Sequence, residues 1–243
     1  MRIAILSDIH SNVVALETVL ALIGSVDQIW NLGDTIGYGP RPNECMALMR
    51  SAQVMIAGNH DLGSIGAISL KDFNSDARTA NLWNGQQLEP EHRAHLETLP
   101  PFLPVDGRCR VAHGSPRDPV WEYVLYAAQA RDNFALFSEQ ICWIGHSHVP
   151  LVFRLDAEGN CDEAKLPAAG ETVELKPDER YIINPGSVGQ PRNHDPRASY
   201  IVFDTEANTL RFNRVEYNIA KTQQQMVDAQ LPLALIRRLS YGM

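Results

Sequence analysis

The chain has no apolar run approaching the ~20 residues that span a bilayer. Its opening Arg2-Ile3-Ala4-Ile5-Leu6 is cut short by Asp8, before it reaches the length of a signal-peptide core. Both absences point to a soluble protein of the cytoplasm. Cysteine is scarce: Cys45, Cys109, Cys142 and Cys161 stand far apart and form no C-x-x-C pair. That spacing suits neither a zinc knuckle nor a disulfide framework, and leaves reduced thiols with packing roles. Positive charge is short as well. With a formal net charge of −8, the basic stripe that would neutralise the phosphates of a long DNA or RNA is missing. A small anionic substrate stays open if positive charge is concentrated locally, as a pair of divalent ions would do. Repeats, low-complexity tracts and long Gly/Ser linkers are also absent, which excludes solenoids and disordered spacers.

What is present is ordinary globular material. Among 243 residues, 44% are apolar and 21% charged, enough to bury a sizeable core. No linker divides the chain, so a single domain over 1–243 is expected.

The first half alternates strand and helix patterns. Residues 2–7 form an apolar strand that runs into Ser7-Asp8-Ile9-His10-Ser11-Asn12. Asp8 and His10 flank Ile9, so at strand geometry both point the same way. A helix follows from Val13 to Ile23, with Ser11 or Asn12 as its cap. A second strand, Asp27 to Leu32, ends at Gly33-Asp34 and the glycine-rich Ile36-Gly37-Tyr38-Gly39-Pro40. After a helix over Pro42 to Ser51, the run Gln53 to Ala57 reads as a third strand. It ends at Gly58-Asn59-His60-Asp61, where glycine permits a sharp turn. This order is that of a parallel sheet with right-handed crossovers. Three successive strands therefore deliver Asp8/His10, Asp34 and Asn59/His60 to one sheet edge, where α/β proteins place their chemistry.

The segment 64–105 is polar and mostly helical, and His92 and His95 in it read as a solvated helix face. A hairpin, Phe102 to Val105 and Arg108 to Ala112 around Asp106-Gly107, ends at His113-Gly114. A helix over Ala127 to Phe137 precedes the strand Gln140 to Ile144, which runs into Gly145-His146-Ser147-His148. From Pro150 onward, short strands without intervening helices read as antiparallel. Residues 218–243 form a helical tail.

Asp8, His10, Asp34, Asn59, His113, His146 and His148 thus each follow an apolar strand. Carboxylate and imidazole ligate zinc, manganese, iron or nickel, and an Asn oxygen is an acceptable further ligand. Seven ligands exceed what one such ion takes and suit two ions sharing a carboxylate.

The series Asp8-x-His10, Gly33-Asp34, Gly58-Asn59-His60-Asp61, His113 and Gly145-His146-x-His148 resembles the calcineurin-like metallophosphoesterase family, block by block and in order. Gly33-Asp34-x-x-Gly37-Tyr38-Gly39-Pro40 and Asn184-Pro185-Gly186-Ser187-Val188-Gly189-Gln190-Pro191-Arg192 resemble its small prokaryotic members, the YfcE-like phosphodiesterases. The resemblance implies an α/β four-layer sandwich of two mixed β-sheets flanked by helices. It implies two divalent ions (Mn, Fe, Zn or Ni): one on Asp8, His10 and His148, the other on Asn59, His113 and His146, with Asp34 bridging. His60 would be the proton donor, steadied by Asp61.

The implied reaction is hydrolysis of a small phosphate ester, a phosphodiester ahead of a monoester, by a metal-bridging hydroxide with His60 as general acid. Two divalent ions bring four positive charges against two from Asp8 and Asp34. Within a Debye length of roughly 8 Å, that excess outweighs the diffuse surface charge. Asn12 and Arg192 are the candidate substrate contacts. The alternatives are a phosphomonoesterase or protein phosphatase, a dinucleoside polyphosphate hydrolase, a non-catalytic scaffold on the same fold, and an amidohydrolase. The last places its paired histidines after the first strand, where this chain has Asp8-x-His10. A homodimer is the expected assembly.

Overall fold

The computed structural model describes residues 1–243. Its first half follows the alternation read above: β1 (Arg2–Leu6), α1 (Val13–Leu22), β2 (Gln28–Asn31), α2 (Pro42–Met49) and β3 (Val54–Met55). A short helix, α3 (Asn59–Ile65), then starts directly on the Asn-His-Asp triplet. After a 3₁₀ turn at Leu70–Asp72 come α4 (Ser75–Gln87) and α5 (Pro90–Leu96). The hairpin strands are β4 (Phe102–Pro104) and β5 (Cys109–Ala112), followed by α6 (Ala127–Phe134) and β6 (Ile141–Trp143). The remainder is β7 (Pro150–Leu155), β8 (Thr172–Glu174), β9 (Arg180–Pro185), β10 (Ala198–Asp204), β11 (Thr209–Val215), α7 (Ile219–Asp228) and α8 (Leu233–Arg238). No helix is long and apolar enough to cross a membrane.

Period-two alternation builds the layers. In β1, Ile3 and Ile5 enter a core shared with Trp143 of β6 and Ile183 of β9, while Ala4 and Leu6 pack with Leu16 and Val19 of α1. In β10, Ile201 and Phe203 join the inner core and Tyr200 and Val202 the outer one. The inner core is therefore the seam between two sheets, ordered β3-β2-β1-β10-β11-β8 and β4-β5-β6-β9-β7. Beyond the second sheet, Ile182 and Phe153 pack against Phe134 of α6. Helix, sheet, sheet, helix: the four layers follow, and both sheets are mixed.

The strands after Pro150 are not all antiparallel. β9 runs parallel to β6 and antiparallel to β7, which sits outside it at the sheet edge. Helix α5 does not present His92 to water: it is buried, with its Nδ1 3.0 Å from Asn43 Oδ1, while His95 is half-buried. The tail folds back on the body. Met226, Leu235, Ile236 and Leu239 pack with Tyr38, Phe73 and Ala80, and Thr222 Oγ1 donates to Asn12 Oδ1 at 2.9 Å.

Candidate metal centre

The parallel run β3-β2-β1 ends its three strands side by side, and the three following loops meet. Asp8 N donates to Gly33 O at 3.1 Å, His10 N to Asp34 O at 2.9 Å, and Ser11 N to Thr35 O at 3.0 Å. From the second sheet, Gly145 N donates to His113 O at 2.8 Å, and His146 N to Asp8 Oδ2 at 3.1 Å. Strand geometry does not aim Asp8 and His10, as their alternation around Ile9 had suggested. Asp8 (φ 53°), His10 (φ 50°), Asp34 (φ 52°), His146 (φ 64°) and His148 (φ 60°) all lie in the left-handed region. Non-glycine residues there cost about 1–3 kcal/mol each and persist only where surroundings over-determine them. Their clustering at one spot marks the site as firmly as the side chains do.

Gly58 serves close approach rather than a turn. Its backbone is extended (φ −93°, ψ 179°), but a Cβ there would stand 2.1 Å from Asp34 Oδ1. With no Cβ in the way, Asp34 Oδ1 accepts from His60 N at 2.8 Å.

Two groups of side chains converge. In the first, Asp8, His10, Asp34 and His148 bring one ligand atom each to within 4.8 Å of one another; in the second, Asp34, His113 and His146 do the same. Asp34 belongs to both, its Oδ2 standing 3.5 Å from His10 Nε2 and 3.4 Å from His113 Nε2. Asp8 Oδ1 lies 3.2 Å from His148 Nε2, and Asn59 Oδ1 lies 3.1 Å from His113 Nε2. All seven residues are buried.

The donor chemistry fits metal ions. Asp8 Oδ1 and Asp34 Oδ2 are buried and have no hydrogen-bond partner, a state that burial penalises unless something else satisfies the charge. Each imidazole is meanwhile turned by a backbone carbonyl. His10, His113 and His148 place Nδ1 at 3.3, 2.9 and 2.6 Å from Ile36 O, Leu32 O and Gln190 O. His146 places Nε2 at 3.1 Å from Trp121 O. A carbonyl only accepts, so in each neutral ring the opposite nitrogen carries the lone pair that a metal takes. His10 Nε2 and His148 Nε2 approach to 3.0 Å, where two lone pairs need a cation between them.

Titration follows the same layout. Burial pushes Asp8 up to about 7, with His113 opposing. Burial also pushes Asp34 up, but His113 and His60 outweigh it and hold the group below the usual carboxylate range. For His113, burial lowers the pKa, yet Asp34 more than offsets it and the ring is pushed up to about 9. Burial holds His146 down to about 3 and puts His10 and His148 well below their usual value.

His60 sits beside these groups and lines the same cavity, but its expected partner is replaced. Asp61 does not touch the ring. Its carboxylate accepts from Gly58 N (2.9 Å), Ile36 N (3.0 Å) and Thr35 N (3.3 Å), pinning two of the site loops. The ring's Nδ1 instead lies 2.7 Å from Oδ1 of Asn81 in α4. Neighbouring Asn84 ties α4 to the glycine-rich loop, accepting from Ser11 Oγ and Gly37 N and donating to Gly39 O. Nothing in the polar pattern of 64–105 separated these two asparagines from a solvated face, except their i, i+3 spacing on one side of a helix.

The two candidate substrate contacts part ways. Asn12 is spent on structure: Oδ1 caps α1 at Ala15 N and accepts from Thr222, while Nδ2 donates to Gly189 O. Arg192, half-buried, lines the cavity. It is held by Tyr38 Oη and Gln190 Oε1, and its Nε has no partner. Asn184 supports from behind, donating to Gly145 O and Ser147 Oγ.

Two mixed sheets packed face to face, with Asp and His groups able to hold metal gathered at the strand ends, define a metallophosphoesterase. Residues 1–208 match the calcineurin-like phosphoesterase superfamily domain, and the chain belongs to that family. It is 38% identical to an uncharacterized protein of Methanocaldococcus jannaschii over 99% of this chain and 98% of that one. A metallophosphoesterase from Sphaerobacter thermophilus is 49% identical, with a TM-score of 0.91 over 100% and 99% of the two chains. A hypothetical protein from Pyrococcus horikoshii has the same fold at 19% identity, with a TM-score of 0.80 over 100% and 98%.

Proposed function

We propose that the chain hydrolyses phosphate esters, diesters ahead of monoesters, with two divalent ions. Asp8, His10 and His148 would hold one ion, Asn59, His113 and His146 the other, and Asp34 both. The observation that carries this reading is the pair of unpartnered carboxylate oxygens, Asp8 Oδ1 and Asp34 Oδ2, each buried and facing imidazole nitrogens. When bound, such ions supply Lewis acidity and bring the pKa of coordinated water to around 7. The N/O donor set suits Mn, Fe, Zn or Ni.

The protein's own groups complete the chemistry. Arg192 would offer its guanidinium to a phosphoryl oxygen and is the one Lys or Arg side chain lining the cavity. His60 delivers a proton to the departing oxygen. Burial holds the ring down to about 4, against Asp34 and Asn81, and an anionic phosphate in the cavity brings further negative charge that favours the imidazolium.

Metal analysis of the purified chain, with aryl phosphodiester and monoester assays across added metals, tests the reading. His60→Gln is expected to keep the metals and lose ~10²–10⁴ in rate with poor leaving groups, and far less with good ones. Equal losses would refute the acid role. A chain that takes up no divalent ion would refute the whole reading.

A further inference from the structure

The cavity holding the candidate metal ligands has a volume of about 150 Å³, and beside them its wall is aromatic: Tyr38, Phe73, Trp121 and Tyr123 line it. The rings form a relay. Tyr38 and His60 have centroids 4.2 Å apart, His60 and Phe73 5.0 Å, and Phe73 and Trp121 4.9 Å. Tyr123 lies nearly parallel to His146, with centroids 4.1 Å apart and planes at 13°. One face of Tyr123 is therefore taken, while the residue as a whole is 42% exposed.

A phosphoryl group is held by cations and N–H donors, and rings add nothing to that task. The aromatic wall must meet some other portion of a ligand. We propose that it is a subsite for a planar aromatic or heteroaromatic group of the ester, bound with its phosphoryl on the Asp/His side. This deepens the phosphoesterase reading and rests on it. A third ring on the Tyr123–His146 pair extends a parallel stack already present, an arrangement an aliphatic group gains less from. A second phosphate is disfavoured, since Arg192 is the one Lys or Arg side chain in a lining that also holds the carboxylate of Asp72.

The subsite is pre-organised. Asp118 Oδ1 accepts from Val120 N and Trp121 N, both at 3.1 Å. Asn133 Nδ2 donates to Glu122 at 3.1 Å, and Trp121 O is bonded to His146 Nε2. Little ordering is left for binding to impose.

The test is calorimetric binding of phenylphosphonate and methylphosphonate to the manganese-loaded full chain, neither ligand being hydrolysed. Phenylphosphonate is expected to bind about tenfold or more tightly. Tyr123→Ala and Trp121→Ala are expected to bring the ratio of phenylphosphonate to methylphosphonate affinity toward one. Tyr123→Leu, which keeps apolar area without a π face, is expected to recover only part of the preference. Equal affinities in the unaltered chain, or a ratio untouched by both alanine variants, overturns the subsite alone. Failure of both phosphonates to bind, with no ester hydrolysed, overturns the phosphoesterase reading and the subsite with it.

Discussion

Nδ1 of His60 lies 2.7 Å from the amide oxygen of Asn81, a neutral partner contributed from 21 residues further along the chain. The amide fixes that nitrogen as the one bearing hydrogen and leaves Nε2 to the cavity, without the counter-charge a carboxylate would provide. Asn81→Asp supplies that charge. A negative group at this distance stabilises the imidazolium and raises its pKa by about 1–3 units. The alkaline limb of the pH–rate profile should move up accordingly for poor leaving groups and stay put for good ones. An unmoved limb would show that Asn81 does not govern the proton on His60.

Asp61 has the opposite character: it holds backbone, not the ring. Asp61→Ala leaves the N–H groups of Gly58, Ile36 and Thr35 buried without an acceptor. At about 1–3 kcal/mol for each unsatisfied donor, the loss of stability should reach at least about 3 kcal/mol. Denaturant unfolding measures it, and the metal content of the variant should fall in parallel. A stable variant with a changed leaving-group dependence would instead restore Asp61 as a partner of the ring.

Three histidine-bearing sequence blocks are legible because their residues are neighbours in the chain. Asp8-x-His10, Gly58-Asn59-His60 and His146-x-His148 announce strand ends, and the alternation of strand and helix announces that those ends share one sheet edge. Partnership across the fold left no such mark. Asn81 reaches His60 only because α4 packs on α3, and no periodicity in a polar helix encodes that. The burial of His92 against Asn43, and the bonds of Asn12 to Thr222 and Gly189, depend likewise on distant segments. The left-handed backbone at Asp8, His10, Asp34, His146 and His148 is equally silent in sequence, since glycine is the usual signal for that conformation.

Metal uptake should release protons. His113, pushed up to about 9 by Asp34 against the pull of burial, carries a proton at pH 8 that a ligand cannot keep. Close to one proton should leave the ligands on uptake at pH 8, and bound water with a pKa around 7 adds about one more. At pH 6, where Asp8, pushed up to about 7 by burial, is also protonated, the ligands give up more than one. The sign is fixed: apparent affinity rises with pH, and the rise is shallower above 9, where His113 has no proton left to lose. Calorimetry in buffers of different ionisation enthalpy counts the protons. Uptake without release would show that His113 is not displaced from its pairing with Asp34.

Glycine at 58 is demanded by contact. Gly58→Ala places a methyl 2.1 Å from Asp34 Oδ1, whereas Gly107→Ala meets nothing within 4 Å. The first substitution should displace Asp34 and abolish metal uptake, and the second should leave both uptake and melting temperature unchanged. Metal analysis beside a thermal melt separates them. Normal loading of Gly58→Ala would mean that the carboxylate is free to shift.

The loop carrying Asp8 is clasped from far downstream: Val188 N donates to Ser7 O, and Gly189 N and Ser187 Oγ donate to Asp8 O. β10 must also slide in beside β1 before the first sheet is whole. On the ribosome, then, the first-made strand of the pocket waits for a segment made far later. A nascent chain halted before residue 187 has its first aspartate and histidine in hand but no frame to hold them, so ion capture follows synthesis of that segment.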